Sequence, residues 1–174
     1  MILSTGRKYL FIHAPKTGGT SMALALEARA MKDDVMLGDT PKAVQRRRRL
    51  KDVQTRGRLW KHATLADLDG LVTPEMLSDL FVFTMVRNPW DRVVSYYHWL
   101  RDQGFDHPAV HLAQNLSFED FVLHPQTCAS LRGSQAGQYV TDASGTERCD
   151  LFIRLEHVAT DIVPLQAHLG FALD

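Results

Sequence analysis

The chain has 174 residues, 45% of them apolar and 23% charged, which fits one soluble globular domain with a proper core. Basic and acidic residues number 20 each, and the resulting zero formal net charge disfavours a general nucleic-acid binder. No run of about 18 apolar residues occurs, so no membrane span is expected, and the opening MILSTGRKYLF lacks a signal-peptide pattern, which makes a cytoplasmic location the default expectation.

The first element in chain order is an apolar run, Tyr9 to Ile12, which reads as a buried strand. It leads into His13-Ala14-Pro15-Lys16-Thr17-Gly18-Gly19-Thr20-Ser21, a loop with one lysine, two glycines and three hydroxyl residues. An alanine-rich helical stretch, Met22 to Ala30, follows at once. Strand, glycine loop and helix N-terminus together form an arrangement that binds phosphate or sulfate. The glycines let backbone N–H groups approach an anion, and Lys16 adds a point charge. The loop is not a Walker A motif, because Lys16 precedes Gly18 and Gly19 instead of following them.

Residues 32–40 are polar, include Gly38 and read as a loop. Pro41 to Thr55 is helix-compatible and carries Arg46-Arg47-Arg48-Arg49 and Lys51. This basic run reads as a solvated helix face; the sharper reading is a rim that steers an anionic acceptor or co-substrate. Trp60-Lys61-His62-Ala63-Thr64 begins a new element, and Thr73-Pro74-Glu75 opens a short helix.

Leu80 to Val86 is a second apolar run rich in strand formers. Asn88 after it is a good helix N-cap, Pro89 suits the first helical position, and the helix is expected to run to about Gln103, with Gly104 as its stop. Val93, Val94, Tyr97 and Leu100 form its apolar stripe, while Asn88, Arg92, Ser95 and Trp99 recur on another face. Arg87 and Ser95 could thus meet one anion near the helix start. A magnesium-dependent nucleotide hydrolase would more naturally carry an Asp where this strand ends in Arg87.

Ser117 to Phe121 looks like a capped helix start, Leu151 to Arg154 like a third strand, and Glu156 to Leu169 like a closing helix with Pro164 inside it or at a kink. Strands alternating with helices predict an α/β fold with a mainly parallel sheet, and right-handed crossovers would place both anion loops at its C-terminal edge. The two cysteines, Cys128 and Cys149, lack metal-ligand spacing and read as reduced, partly buried thiols.

The order PKTGGTS resembles the 5′-phosphosulfate loop of sulfotransferases that use 3′-phosphoadenosine 5′-phosphosulfate (PAPS). RNPWDRVVSYY resembles their 3′-phosphate motif, RNPxxRxxSxY. Gln138-Tyr139, Asp150 to Glu156 and Leu169-Gly170-Phe171 are similar to the later part of membrane-type carbohydrate sulfotransferases and their bacterial relatives. The resemblance implies a P-loop-like sulfotransferase fold in a single domain over 1–174. Relatives usually continue past the position of Asp174, so a C-terminal part of the acceptor site is expected to be lacking. It further implies PAPS as co-substrate, no metal, and a hydroxylated acceptor, a carbohydrate or small metabolite. The residues matched to it are Lys16, Thr17, Gly18, Gly19, Thr20 and Ser21 for the 5′-phosphate and Arg87 and Ser95 for the 3′-phosphate. Lys16 would neutralise the bridging oxygen as the bond to sulfur breaks. His62 lies where membrane-type relatives carry a histidine proposed as general base; the alternative is a histidine bonded to backbone at a strand end. A nucleotide-binding protein without transferase activity is the competing function. Arg92 could pair with Asp91 or surface glutamates, or touch the ligand. Trp60, Trp90 and Trp99 are candidate ring platforms, although packing is the ordinary role of tryptophan. Tyr139 could flank the ligand or pack in the core, and Glu156 occupies a recurrent family position with the character of a helix N-terminal charge.

Overall fold

The computed structural model describes residues 1–173. Five strands form one sheet in the order β3-β1-β2-β4-β5: β1 Ile2–Ser4, β2 Tyr9–Ile12, β3 Val35–Met36, β4 Phe81–Val86 and β5 Leu151–Arg154. The centre is parallel, with Tyr9 opposite Phe81 and Phe83 opposite Leu151. β1 runs antiparallel to both β2 and β3. This edge is absent from the sequence expectation: Ile2–Ser4 is too short to signal a strand, and the loop at 32–40 contains the two-residue β3. The hairpin turn between β1 and β2 closes with the Lys8 N–H donating to the Thr5 carbonyl at 3.3 Å and Lys8 at φ 54°.

Apolar runs without polar alternation suit strands covered on both sides. Tyr9 and Phe11 point to one face, where they pack with Phe83, Met85 and Ile153 against Met22 and Leu26 of α1 (Gly19–Ala28). Leu10 and Ile12 point to the other, among Leu3, Val82, Ala63, Leu65, Leu68 and Val140. Helices α2 (Pro41–Arg46) and α3 (Pro74–Asp79) precede β4. The helix after β4, α4, spans Pro89–Arg101. Its Tyr97 and Leu100 are buried in a satellite cluster with Val110, Ala113 and Phe121, contributed by α5 (Pro108–Asn115) and α6 (Phe118–Leu123). Val94, assigned to that stripe from its spacing, is exposed. Helices α7 (Pro125–Arg132) and α8 (Ala136–Tyr139) lead to β5, and α9 (Val158–Asp161) and α10 (Val163–Leu169) follow it.

Three expectations about elements need redrawing. The segment after Pro41 is α-helical only to Arg46 and then tightens into a 3₁₀ turn over Arg47–Leu50. Arg46 donates there to the carbonyls of Met31 and Asp34, and Arg49 to that of Lys32. The basic run therefore clamps the loop before and around β3, with Arg47 and Arg48 exposed. The closing helix is split into a 3₁₀ turn and two short helices, because Pro164 has no N–H for a continuous ladder. Trp60 to Thr64 forms turns and no regular element. Cys128 and Cys149 are free thiols and partly buried, and burial pushes the Cys149 thiol up to about 12. Among the described residues, no helix is long and apolar enough to cross a membrane.

Candidate active site

β2 ends at Ile12 and the chain turns through Pro15–Gly18 into α1. Lys16 sits at φ 64° and Gly18 at φ 83°, both in the left-handed region. For Lys16 this is a strained position of the kind that accumulates at ligand sites. Helix α1 begins with its first turn open. The N–H groups of Ser21 and Met22 donate to the Gly18 carbonyl, while those of Gly19 and Thr20 have no protein acceptor among the described residues. Gly19 is required by packing: a Cβ there would run into the His13 imidazole.

β4 ends in a parallel position and delivers Arg87. Asn88 caps α4 by accepting from the Trp90 N–H at 3.0 Å, and the Asn88 N–H itself donates to Glu156 Oε1 at 2.7 Å. Glu156 thereby ties the end of β5 to the start of α4, and this bond holds its carboxyl below the ordinary range. Its partner is a backbone group of a remote segment, so the sequence showed only a charge near a helix.

The two loops and their helices open on one cleft of about 660 Å³. Lys16, Gly18, Gly19, Thr20, Ser21, Arg87, Ser95 and His62 all line it. Thr17 does not: it is buried and its hydroxyl donates inward to the Ala14 carbonyl at 2.8 Å, bracing the loop from inside. Lys16 and Arg87 have no carboxylate partner among the described residues. Burial, then Arg87 and Lys61, lower the Lys16 ammonium from its ordinary value. Lys16 and Arg87, which make no ion pair among the described residues, beside open N–H groups are an arrangement suited to an anion, with the Glu156 carboxylate near enough to Arg87 to feel its charge.

His62 is half-buried between His13 and Trp60, with ring centroids 4.7 Å and 5.0 Å away. Its Nδ1 lies 2.8 Å from the His13 carbonyl oxygen, so Nδ1 carries the proton and donates. The backbone-bonded alternative and the cleft position are thus both realised. Burial is the main cause that lowers its pKa to about 4. The imidazole is neutral at pH 7, with Nε2 as the nitrogen left to accept.

Trp60 and Trp99 line the cleft, and the Lys16 ammonium sits 5.2 Å from the Trp99 ring. Trp90 is 77% exposed and lies outside it. Tyr139 lines the cleft and packs on the core. Arg92 pairs with no carboxylate among the described residues; its guanidinium donates to the carbonyls of Pro15 and Ser134.

The sequence matches the profile described as "Sulfotransferase family" over residues 1–144, a span that includes both anion loops and ends before β5. No curated protein matches the chain. Among solved structures, it is similar to the mouse sulfotransferase SULT7A1 complexed with PAP, at 19% identity and a TM-score of 0.45, over 97% of this chain and 60% of that one. The chain thus spans about 60% of the length of that structure's chain. The family profile covers most of the chain, and on that ground this protein belongs to the sulfotransferase family.

Proposed function

We propose that this protein transfers a sulfuryl group from PAPS to a hydroxyl of a carbohydrate or small-molecule acceptor. One observation supports the reading beyond family membership: two strand–loop–helix junctions open on the same cleft, each with a cation that makes no ion pair among the described residues, Lys16 in one and Arg87 in the other. A single phosphate needs one such site. A nucleotide with phosphates at both 5′ and 3′ positions needs two.

In this reading the open N–H groups of Gly19 and Thr20, with the Thr20 and Ser21 hydroxyls, hold the 5′-phosphate beside Gly18. The Thr17 side chain supports the loop from within. Arg87 and Ser95 hold the 3′-phosphate. The acceptor oxygen attacks sulfur in line, the new O–S bond forms, and the bond from sulfur to the 5′-phosphate oxygen breaks. Lys16 neutralises the charge that builds on that leaving oxygen. The acceptor proton passes to Nε2 of His62. The products are the sulfated acceptor and 3′-phosphoadenosine 5′-phosphate (PAP).

Calorimetry with PAP and with adenosine 5′-phosphate tests the two-site reading. The charge-assisted contacts at the 3′ site contribute about 1.5–3 kcal/mol, so PAP binds at least about tenfold more tightly. Equal affinities would remove Arg87 and Ser95 from the site. Turnover of labelled PAPS across a panel of hydroxylated acceptors then separates a transferase from a protein that only binds the nucleotide.

A further inference from the structure

Arg92 lines the cleft beside two unpaired cations and would ordinarily be taken for a third anion ligand. Its hydrogen bonds point elsewhere. Nε donates to the Pro15 carbonyl at 3.0 Å and Nη1 donates to the Ser134 carbonyl at 2.7 Å. Its backbone N–H is tied to the Asn88 carbonyl at 2.9 Å, in the first turns of α4. The guanidinium is thus already bonded to two neutral oxygens from segments far apart in sequence.

Both oxygens sit at sensitive places. Pro15 directly precedes Lys16, whose φ of 64° is the strained step of the anion loop. In a trans peptide the C=O and N–H point in opposite directions. Fixing the Pro15 oxygen therefore fixes the Pro15–Lys16 peptide plane, and with it the direction in which Lys16 leaves the backbone. Ser134 lies between α7 and α8, next to the Gln135 cap. Helix α8 ends in Tyr139, whose side chain lines the cleft and whose carbonyl accepts from the Leu65 N–H at 2.8 Å. Leu65 belongs to the same stretch of chain as His62. Arg92 therefore joins the loop that carries Lys16 to the wall that carries Tyr139, and through that wall to the segment of His62.

We infer that Arg92 is a positioning residue for the transfer reaction: its planar fork holds Lys16 and the opposite cleft wall in one arrangement, and it does not bind the anion. The inference rests on the proposed function only for its kinetic consequence. Lysine retains the charge but cannot present two N–H groups at the fixed angle of the guanidinium. An anion ligand is largely rescued by lysine, whereas a two-carbonyl clamp is not.

The test compares wild type with Arg92→Lys and Arg92→Ala in three measurements: PAP affinity by calorimetry, kcat and KM for transfer, and hydrogen exchange of the free protein. Both variants should lose about tenfold or more in kcat while PAP affinity changes by less than about threefold, since a misplaced Lys16 weakens mainly the transition state. Amides of 16–21 and of 134–139 should exchange faster together in both variants, with no ligand present. A PAP affinity that falls about tenfold in Arg92→Ala and returns in Arg92→Lys would overturn the inference and make Arg92 a ligand. A lowered melting temperature with unchanged kcat and unchanged local exchange would reduce it to a general stabiliser. Should wild type neither bind PAP nor transfer, the functional reading fails by itself, and the exchange result still decides whether Arg92 couples the two segments.

Discussion

His62 donates its Nδ1 proton to the His13 carbonyl and keeps Nε2 as the free acceptor, which is the tautomer a general base needs. In the proposed mechanism, burial sets the pH at which His62 works as the base. With the folded pKa lowered to about 4, Nε2 is already unprotonated at neutral pH, so kcat/KM, which reports the free enzyme, should rise through about pH 4 and be flat near pH 7. A bound nucleotide adds negative charge beside the ring and favours imidazolium, so the corresponding limb in kcat should lie at higher pH. His62→Ala should abolish both limbs and leave PAP affinity nearly unchanged. A variant that keeps the wild-type pH profiles would take His62 out of the mechanism. Lys16, Arg87 and His62 were legible as candidates because each stands in or between motifs whose residue types state their chemistry. Arg92 and Glu156 were not legible in the same way. Their partners are the carbonyls of Pro15 and Ser134 and the N–H of Asn88, and a sequence does not display which backbone groups come to lie beside a side chain. Thr17 shows the converse: its place in the loop suggested a hydroxyl for the anion, and the fold turns that hydroxyl onto Ala14.

Helix α1 starts earlier than its alanine-rich composition suggests, at Gly19, because the loop glycines take up its first turn. Helix propensity alone favours alanine over glycine by up to about 1 kcal/mol. Packing opposes it here. His13 occupies the space of a Gly19 Cβ, and the ring is held by Phe11 at 5.8 Å and by His62 at 4.7 Å between centroids. Overpacking of this kind costs about 1–3 kcal/mol, so Gly19→Ala should destabilise the protein and weaken PAP binding together. Gly104→Ala, where no atom lies within 4 Å of the added Cβ, is the control and should change neither. Urea midpoints and calorimetry on both variants measure this; a Gly19→Ala protein as stable as wild type would show that His13 yields. At the level of elements the apolar runs of β2, β4 and β5 were plain from composition, as was the Asn88-Pro89 helix start. β1 and β3 were hidden because three and two residues carry no periodicity. They exist through pairing with β2 and with each other, which is a tertiary property. In sequence the arginine run after Pro41 displays only its charge, and its role as a clamp on the carbonyls of Met31, Lys32 and Asp34 again depends on remote backbone.

Across the whole molecule, the strands differ in how far apart their partners lie along the chain. Ile2 meets Phe11 through a short hairpin, whereas Tyr9 must find Phe81 and Phe83 must find Leu151. Closing those long connections costs chain entropy before any pairing repays it, so the parallel centre should assemble late. The loops that carry Lys16 and Arg87 each hang from the end of one of these central strands, and the two face each other only once β2 and β4 are in register. A ligand that bridges them therefore has nothing to hold until the folding barrier has been crossed. PAP should slow unfolding and leave the refolding rate almost untouched, a partition that stopped-flow measurements with and without the nucleotide resolve. Faster refolding with PAP would mean that the loops already meet at the barrier. With the expected partition, the nucleotide prolongs the lifetime of each folded molecule without hastening the formation of the next.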